Sequence, residues 1–264
     1  MGLVHQLGWD PHFQARSPWF WPLSAAAARF ASCPDWPSRA ELNAAYAELA
    51  LASGAEPLRF GENVRKQDRY TDAGGIRIDR LYDGRISRAG EVPTRERDWH
   101  DFFNALCFMT FPRAKRALHR RQFQVLSRRV GPGALRLPIA RTAEQDALTL
   151  FDEGGAVIAA EAPAYQPLAD AADAERPGLL RELVEQRLAR VIPFGHALFE
   201  HLVEGLRCPG GSTRLARVRD VNVDQPQLLA AVDVALSALL GDPHVFLEPR
   251  EGAHLRLPEL GLSA

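Results

Sequence analysis

The apolar positions along this chain change period several times, and each change predicts an element. After Ser38, Leu42, Ala45, Tyr46 and Leu49 share one face of a helix that runs to about Ser53 and stops at Gly54. From residue 57 to 88 the spacing turns extended: Leu58 and Phe60, then Ile76, Ile78 and the stretch 81–86, with turn residues at Gly74-Gly75 and Asp83-Gly84. Residues 99–111 are apolar on both sides, which predicts a buried helix ended by Pro112. A basic helix follows over 113–129 and stops at Gly131-Pro132-Gly133. Residues 147–151 and 156–160 flank Asp152-Glu153-Gly154-Gly155, the pattern of a β-hairpin. The proline- and acid-rich stretch 163–177 reads as a surface linker. Three helices complete the chain, over 179–191, 194–206 and 226–240, the last with Asp224 as its cap. The first 37 residues carry five prolines among tryptophans and suggest an irregular wrapping segment with a short alanine-rich helix. The expectation is an α+β fold, helix-dominant with a small antiparallel β-hairpin or sheet. It forms a single domain over 1–264, with a subdomain boundary in the 163–177 linker.

Composition narrows the class. With 264 residues, 46% hydrophobic and 25% charged, and a net charge of −1, the chain is a soluble globular protein rather than a disordered or fibrous one. The longest apolar stretch, 228–240, is broken by Asp233 and is shorter than the roughly 18 residues a membrane span needs, so no membrane partner is expected. Cys33, Cys107 and Cys208 lie far apart without a C-x-x-C pair, which disfavours a disulfide framework or a cysteine zinc site and suits a reducing interior. The start lacks a basic n-region, so the expected location is cytoplasmic. Of 32 basic residues 30 are arginine, a bias that suits a GC-rich, bacterial genome. Oligomeric state is not legible.

Charge is uneven along the chain: residues 102–143 carry nine basic side chains and no acidic one, and the remainder after them carries 10 basic and 19 acidic. Such a block can meet phosphate groups, in nucleic acid or a small anion, or pair with the acidic C-terminal half of its own chain; the near-neutral total favours internal pairing. Arg113, Arg116 and Arg120 form one stripe of the basic helix with Phe123 beside them, a candidate nucleic-acid or acidic-partner face, though a solvated helix face is the plainer reading. Lys115 lies nearer the apolar edge.

The helix over 99–111 places Trp99, Phe102, Leu106 and Met109 on one face, and His100, Asn104, Cys107 and Phe111 on the other. His100 and Asn104 are then a buried polar pair one turn apart, able to orient a substrate or metal, or satisfied by backbone and water. Asp101, at N3 behind Asp98 as cap, is explained by the helix end. Asp146, Asp152 and Glu153 are carboxylates that can hold a divalent metal or act as a base, but Asp-Glu-Gly-Gly is also turn chemistry. His196 and Glu200, four apart, suit two metal ligands or a base with its orienting carboxylate, or simply a polar helix face; His201 falls toward the apolar side. P-loop, G-x-G-x-x-G, G-x-S-x-G and H-E-x-x-H patterns are absent, which disfavours nucleotide kinases, Rossmann dehydrogenases, α/β-hydrolases and zincins.

Together these segments resemble the bacterial domain of unknown function 3025 family. Its blocks G-E-V-P-T-R, W-H-D-F-F-N-A-L, F-P-R-x-K, D-A-L-T-L-F-D-E-x-G and F-G-H-A-L occur here in order at 90–95, 99–106, 111–115, 146–154 and 194–198, and the tail 257–261 matches more loosely. Residues 181–190 depart from the family in lacking a tryptophan-containing helix. The resemblance implies a shared fold and no particular reaction. Its blocks coincide with His100, Asp101, Asn104, Arg113, Lys115, Asp146, Asp152, Glu153 and His196, which points to a common pocket. The expectation is a hydrolase for a phosphorylated or anionic small molecule. His100, Asn104, Asp152 and His196 form its catalytic set (a histidine as base or metal ligand), and Arg113, Lys115 and Asp146 contact substrate. The competing expectation is a non-catalytic binding protein using the basic helix.

Overall fold

The computed structural model describes residues 7–63, 66–70, 74–131, 133–172, 174–205, 211–217, 227–248 and 254–255. The N-terminal segment crosses two 3-10 turns, Phe13–Arg16 and Pro18–Leu23, into the short α1 (Ser24–Ala27), then α2 (Arg39–Ser53) and β1 (Arg59–Gly61). A brief α3 (Tyr82–Gly84) runs into a single π-helical turn, Arg85–Ala89, that closes at Gly90 with φ +60°. After β2 (Glu91–Pro93) come α4 (Trp99–Thr110), α5 (Pro112–Arg129), α6 (Ala143–Gly154), β3 (Ala156–Ala160), α7 (Ala162–Asp170) and α8 (Arg176–Glu185). The described chain continues with β4 (Ala189–Pro193), α9 (His196–Val203), β5 (Gly211–Arg217), α10 (Leu228–Gly241) and β6 (His254–Leu255). The fold is α+β and helix-dominant, as expected.

The sheet order is β4-β3-β5-β6, with β3 antiparallel to β4 and parallel to β5; a separate pair joins β1 and β2 in parallel. The sheet divides the interior in two. Ala156, Ile158 and Ala160 of β3 pack into one core with α2, α4 and α9, while Val157 and Ala159 face a second core with α5, α6 and α10. A strand covered on both faces reads as a continuous apolar run rather than an alternation, which is what Ala156–Ala160 is. The tryptophan-rich start wraps α4: Trp9 stacks on Trp99 at 5.4 Å and Trp36 meets it edge-on at 4.8 Å.

Four expectations need correction. Residues 147–151 are not the first arm of a hairpin but the middle of α6. Thr142 and Gln145 form a reciprocal capping box at its start, and Ala147, Leu148 and Phe151 recur at helical spacing on its buried face. The true partner of β3 is β4, inside the stretch expected to be helical, with Ile158 opposite Val191. Helix α8 therefore ends at Glu185, and Arg187 turns the chain at φ +59°. The stretch 163–177 is not a linker: α7 occupies its first half and α8 begins at Arg176, with Pro163 tolerated in the first turn and Ala164 and Leu168 buried one turn apart. Between 81 and 89 the chain is helical rather than extended, because Ile86 alone enters the core while Arg85 bends inward to Glu91 and the Glu62 carbonyl. The Asp224 cap, Cys208 and the 257–261 tail lie outside the described residues.

Candidate functional site

Helix α5 brings the first half of the site inside. Its Lys115 and His119, one turn apart, are 0% and 1% exposed, far from the usual fate of a lysine. Lys115 Nζ donates to Asp152 Oδ1 at 2.5 Å and sits over the Phe108 ring at 4.9 Å. Asp152 belongs to the last turns of α6. Burial pushes its carboxyl pKa up, but the Lys115 ammonium, with His119 and His196 behind it, outweighs burial and holds the carboxyl well below the ordinary range. His119 Nδ1 donates to Asp83 Oδ1 at 2.8 Å, and its Nε2, with no hydrogen-bond partner, stands 3.8 Å from Asp152 Oδ2. The His119 ring is held by stacking on Phe108 and by the edge of Tyr82. Tyr82 OH in turn accepts from Asn104 Nδ2 at 2.7 Å, while Asn104 Oδ1 has no partner.

The second half joins α4, α6 and α9. Asp98 caps α4 and accepts from the Asp101 amide, while the Asp101 carboxylate holds Arg95; this fixes the first turn from which His100 projects. At the other side Gly195 lies so close to the end of α6 that a Cβ would come within 2.4 Å of the Glu153 carbonyl oxygen. Only glycine permits that approach. It seats His196, whose Nδ1 donates to the Asp152 carbonyl at 2.9 Å and whose Nε2 lies 3.0 Å from His100 Nε2 and 3.3 Å from Glu153 Oε2. His100 Nδ1 faces Glu200 Oε2 at 2.9 Å. Burial lowers the His196 pKa, and nearby Lys115 adds to this, so that imidazole stays neutral well below the usual range. Burial also lowers that of His100, but the Glu200 hydrogen bond overcomes it and the net shift is upward. The Glu153 carboxyl is raised, by burial first and by Asp152 second. His100, Glu153 and His196 each present one donor atom, all within 4.8 Å of one another, and could hold a metal ion.

A cavity of about 500 Å³ opens on this cluster, walled by Tyr82, His119, Asp152 and Glu153 on one side and Arg129 and Arg141 on another. Arg129 donates to the Ala140 carbonyl and Gln145, and Arg141 to Thr149; no described carboxylate neutralises either. Apolar residues Leu126, Leu137 and Ile139 complete the wall.

Of the residues singled out in the sequence, His100, Lys115, Asp152 and His196 converge, and Asn104 joins them through Tyr82. Asp152 sits in a buried helix turn, not at the tip of a hairpin. Arg113 and Asp146 stand apart. Arg113 donates to the Ser53 carbonyl, while Asp146 lies in the first turn of α6 and does not line the cavity. The basic stripe is partly committed: Arg116 binds the Pro57 carbonyl and Glu56, Arg120 reaches Glu56 at 3.5 Å, and Phe123 lies beneath Arg88. These partners lie N-terminal to the helix, whereas Lys115, Arg121 and Arg128 of the same basic block pair with Asp152 and Glu144 of the acidic C-terminal half. His119, Tyr82 and Asp83 were missed. Lys115 and His119 at i, i+4 beside Leu118 and Ala114 was the one available sign that the face of α5 carrying them is buried.

A buried histidine–carboxylate cluster at the mouth of a cavity, on a helix-dominant α+β frame, defines the class of site. No curated protein and no solved structure matches the chain. Residues 69–263 match the family described as Protein of unknown function (DUF3025), and the chain belongs to that family. The match takes in every residue of the cluster and leaves out the wrapping segment before it. Among the described residues no helix is long and apolar enough to cross a membrane.

Proposed function

We propose that this protein is a hydrolase for a phosphorylated or otherwise anionic small molecule bound in the 500 Å³ cavity. The observation that carries the reading is His119. Its Nδ1 is fixed on Asp83, and its Nε2 is buried and unpartnered beside Asp152, on the wall of a cavity that also holds Arg129 and Arg141. A histidine oriented by a carboxylate through Nδ1 presents a lone pair on Nε2, the arrangement that takes a proton from an attacking water and returns it to the leaving oxygen. Asp83 stabilises the imidazolium formed in between. Arg129 and Arg141 supply planar donors for an anionic group, the task expected of Arg113 from the sequence. Lys115 keeps Asp152 ionised and is not a substrate contact, being enclosed. His100 and His196 engage each other, so the base role passes to His119. Asn104 acts by positioning the Tyr82 hydroxyl. A cytoplasmic, bacterial setting agrees with the scattered cysteines and the arginine-rich composition. The basic helix as a nucleic-acid surface has weaker support, since Arg113 and Arg116 are bound to backbone carbonyls.

The test is turnover of p-nitrophenyl phosphate, bis-p-nitrophenyl phosphate and p-nitrophenyl acetate by the full chain. Hydrolysis of at least one is expected, with kcat falling by about 10²–10⁴ in His119→Ala and KM rising in Arg141→Ala. Undiminished turnover in a folded His119→Ala chain, or turnover of none of the three, overturns the reading.

A further inference from the structure

We propose that His100 Nε2, His196 Nε2 and a Glu153 carboxylate oxygen form a binding site for a divalent transition-metal ion, with zinc the ion best suited to these donors. The argument begins with where the ring protons must be. His196 Nδ1 faces a carbonyl oxygen, which only accepts, so Nδ1 carries the hydrogen and Nε2 a lone pair. His100 Nδ1 faces the Glu200 carboxylate and is likewise a donor, so the neutral ring also offers a lone pair at Nε2. These two lone pairs point at each other across 3.0 Å, with Glu153 Oε2, a third acceptor, 3.3 Å from His196 Nε2. With both rings neutral and the carboxylate ionised, three electron-pair donors are gathered with no hydrogen of their own between them. That arrangement takes a cation at its centre: a proton on His100 Nε2 shared with His196, or a metal ion bound by all three.

Two of the three separations have the right scale, and the third pair of donor atoms lies within 4.8 Å. Metal–nitrogen bonds of about 2.0–2.1 Å at tetrahedral angles place neighbouring donor atoms roughly 3.3 Å apart. The surroundings agree as well: each ligating histidine has its other ring nitrogen held, one by a backbone carbonyl and one by a carboxylate, the outer shell that fixes tautomer and orientation in metal sites. Three protein ligands leave a fourth position, and the half-exposed Glu153 and His100 side chains open it toward solvent beside the cavity. Glu153 is the link, since it contacts His196 and also lines the cavity. Nothing here requires that the protein be a hydrolase.

The experiment uses the full chain, freed of metal with a chelator and dialysed, and titrated with Zn²⁺ by calorimetry and with Co²⁺ by visible absorption. One equivalent of Zn²⁺ is expected at micromolar affinity or tighter, with the intense visible bands of four- or five-coordinate Co²⁺. His100→Gln and Glu153→Gln, both at partly exposed positions that tolerate change, are expected to lose about 100-fold in affinity and the Co²⁺ bands, with unchanged melting temperatures in the absence of metal. Glu200→Gln, which acts on the ligand His100, loses about 10- to 100-fold. Excess Zn²⁺ raises the melting temperature of the parent chain but not of His100→Gln. Absence of stoichiometric binding by the parent chain, or equal affinity in both substituted chains, overturns the site. An ion bound without any hydrolysis retains this inference and removes the preceding one; hydrolysis by a chain that takes up no ion does the reverse.

Discussion

Removing the Lys115 ammonium, by Lys115→Met, tests how the site is held. Lys115 is fully enclosed and Asp152 is 6% exposed, so the pair at 2.5 Å has given up nearly all its hydration. Unit charges about 4 Å apart attract by roughly 4 kcal/mol at an effective dielectric near 20, and each buried ion forfeits several kcal/mol of solvation. The pair as a whole is therefore close to neutral against an uncharged replacement. Its halves are not: Lys115→Met leaves an unpaired carboxylate beside His119 and should cost about 3–5 kcal/mol. Methionine fills most of the lysine stem's volume between Phe108 and Phe194, which keeps the cavity contribution small. Adding Asp152→Asn takes away the stranded charge and should recover all but about 1–2 kcal/mol, giving a coupling in the double-mutant cycle of at least 2 kcal/mol. Urea denaturation of the four chains measures each value. A single Lys115→Met chain within 1 kcal/mol of the parent, or a double substitution no more stable than the single one, would refute the description of the pair as a buried, mutually dependent unit.

Two further outcomes follow from other contacts. Asp233 of α10 accepts from the Arg113 and Ala114 amides at the start of α5, yet burial raises its pKa from 3.8 to about 6, against the lowering effect of those amides and of the Arg113 charge. A carboxyl raised in the fold favours its protonated form, so its contribution is full below the unfolded pKa near 4 and is lost as pH climbs to 6. The stability difference between parent and Asp233→Asn should shift by about 2 kcal/mol against the parent between pH 4 and pH 7, and a difference constant within 1 kcal/mol would show that the carboxyl is not so perturbed. Gly195→Ala forces a methyl to 2.4 Å from the Glu153 carbonyl oxygen and 2.5 Å from the Gly155 nitrogen. It should cost about 1–3 kcal/mol, or several degrees in melting temperature, and weaken Zn²⁺ binding by moving His196; an unchanged melting curve contradicts the close approach.

Much of the helical frame was legible because its signals are local. Asp98 as a cap, Pro112 between two helices and the 3.6-residue period over 99–110 lie within a few residues of what they control, and helices were placed there correctly. Residues 143–154 show where a local reading divides. The Thr142–Gln145 capping box and the Asp-Glu-Gly-Gly tetrapeptide are both visible in the sequence and point to different structures. The turn-like tetrapeptide proved to be the end of a helix because Phe151 and Leu148 face a core supplied by α5 and α10.

By itself, the sequence determined the helix-rich class, the family and a set of polar residues inside apolar blocks, since period, capping and composition act over one or two turns. Only the tertiary structure decided which of those residues meet. His100 and His196 stand 96 positions apart, and Lys115 and Asp152 are 37 apart. Their encounter depends on β3 pairing with β4 and on Gly195 lying against the end of α6, contacts that no short-range pattern encodes. The same packing selected among the cations, enclosing Lys115 and His119 while Arg113 was drawn away to the Ser53 carbonyl. Residue type fixed what each group can donate or accept; burial and neighbours, which come only with the fold, fixed which groups had to do so together.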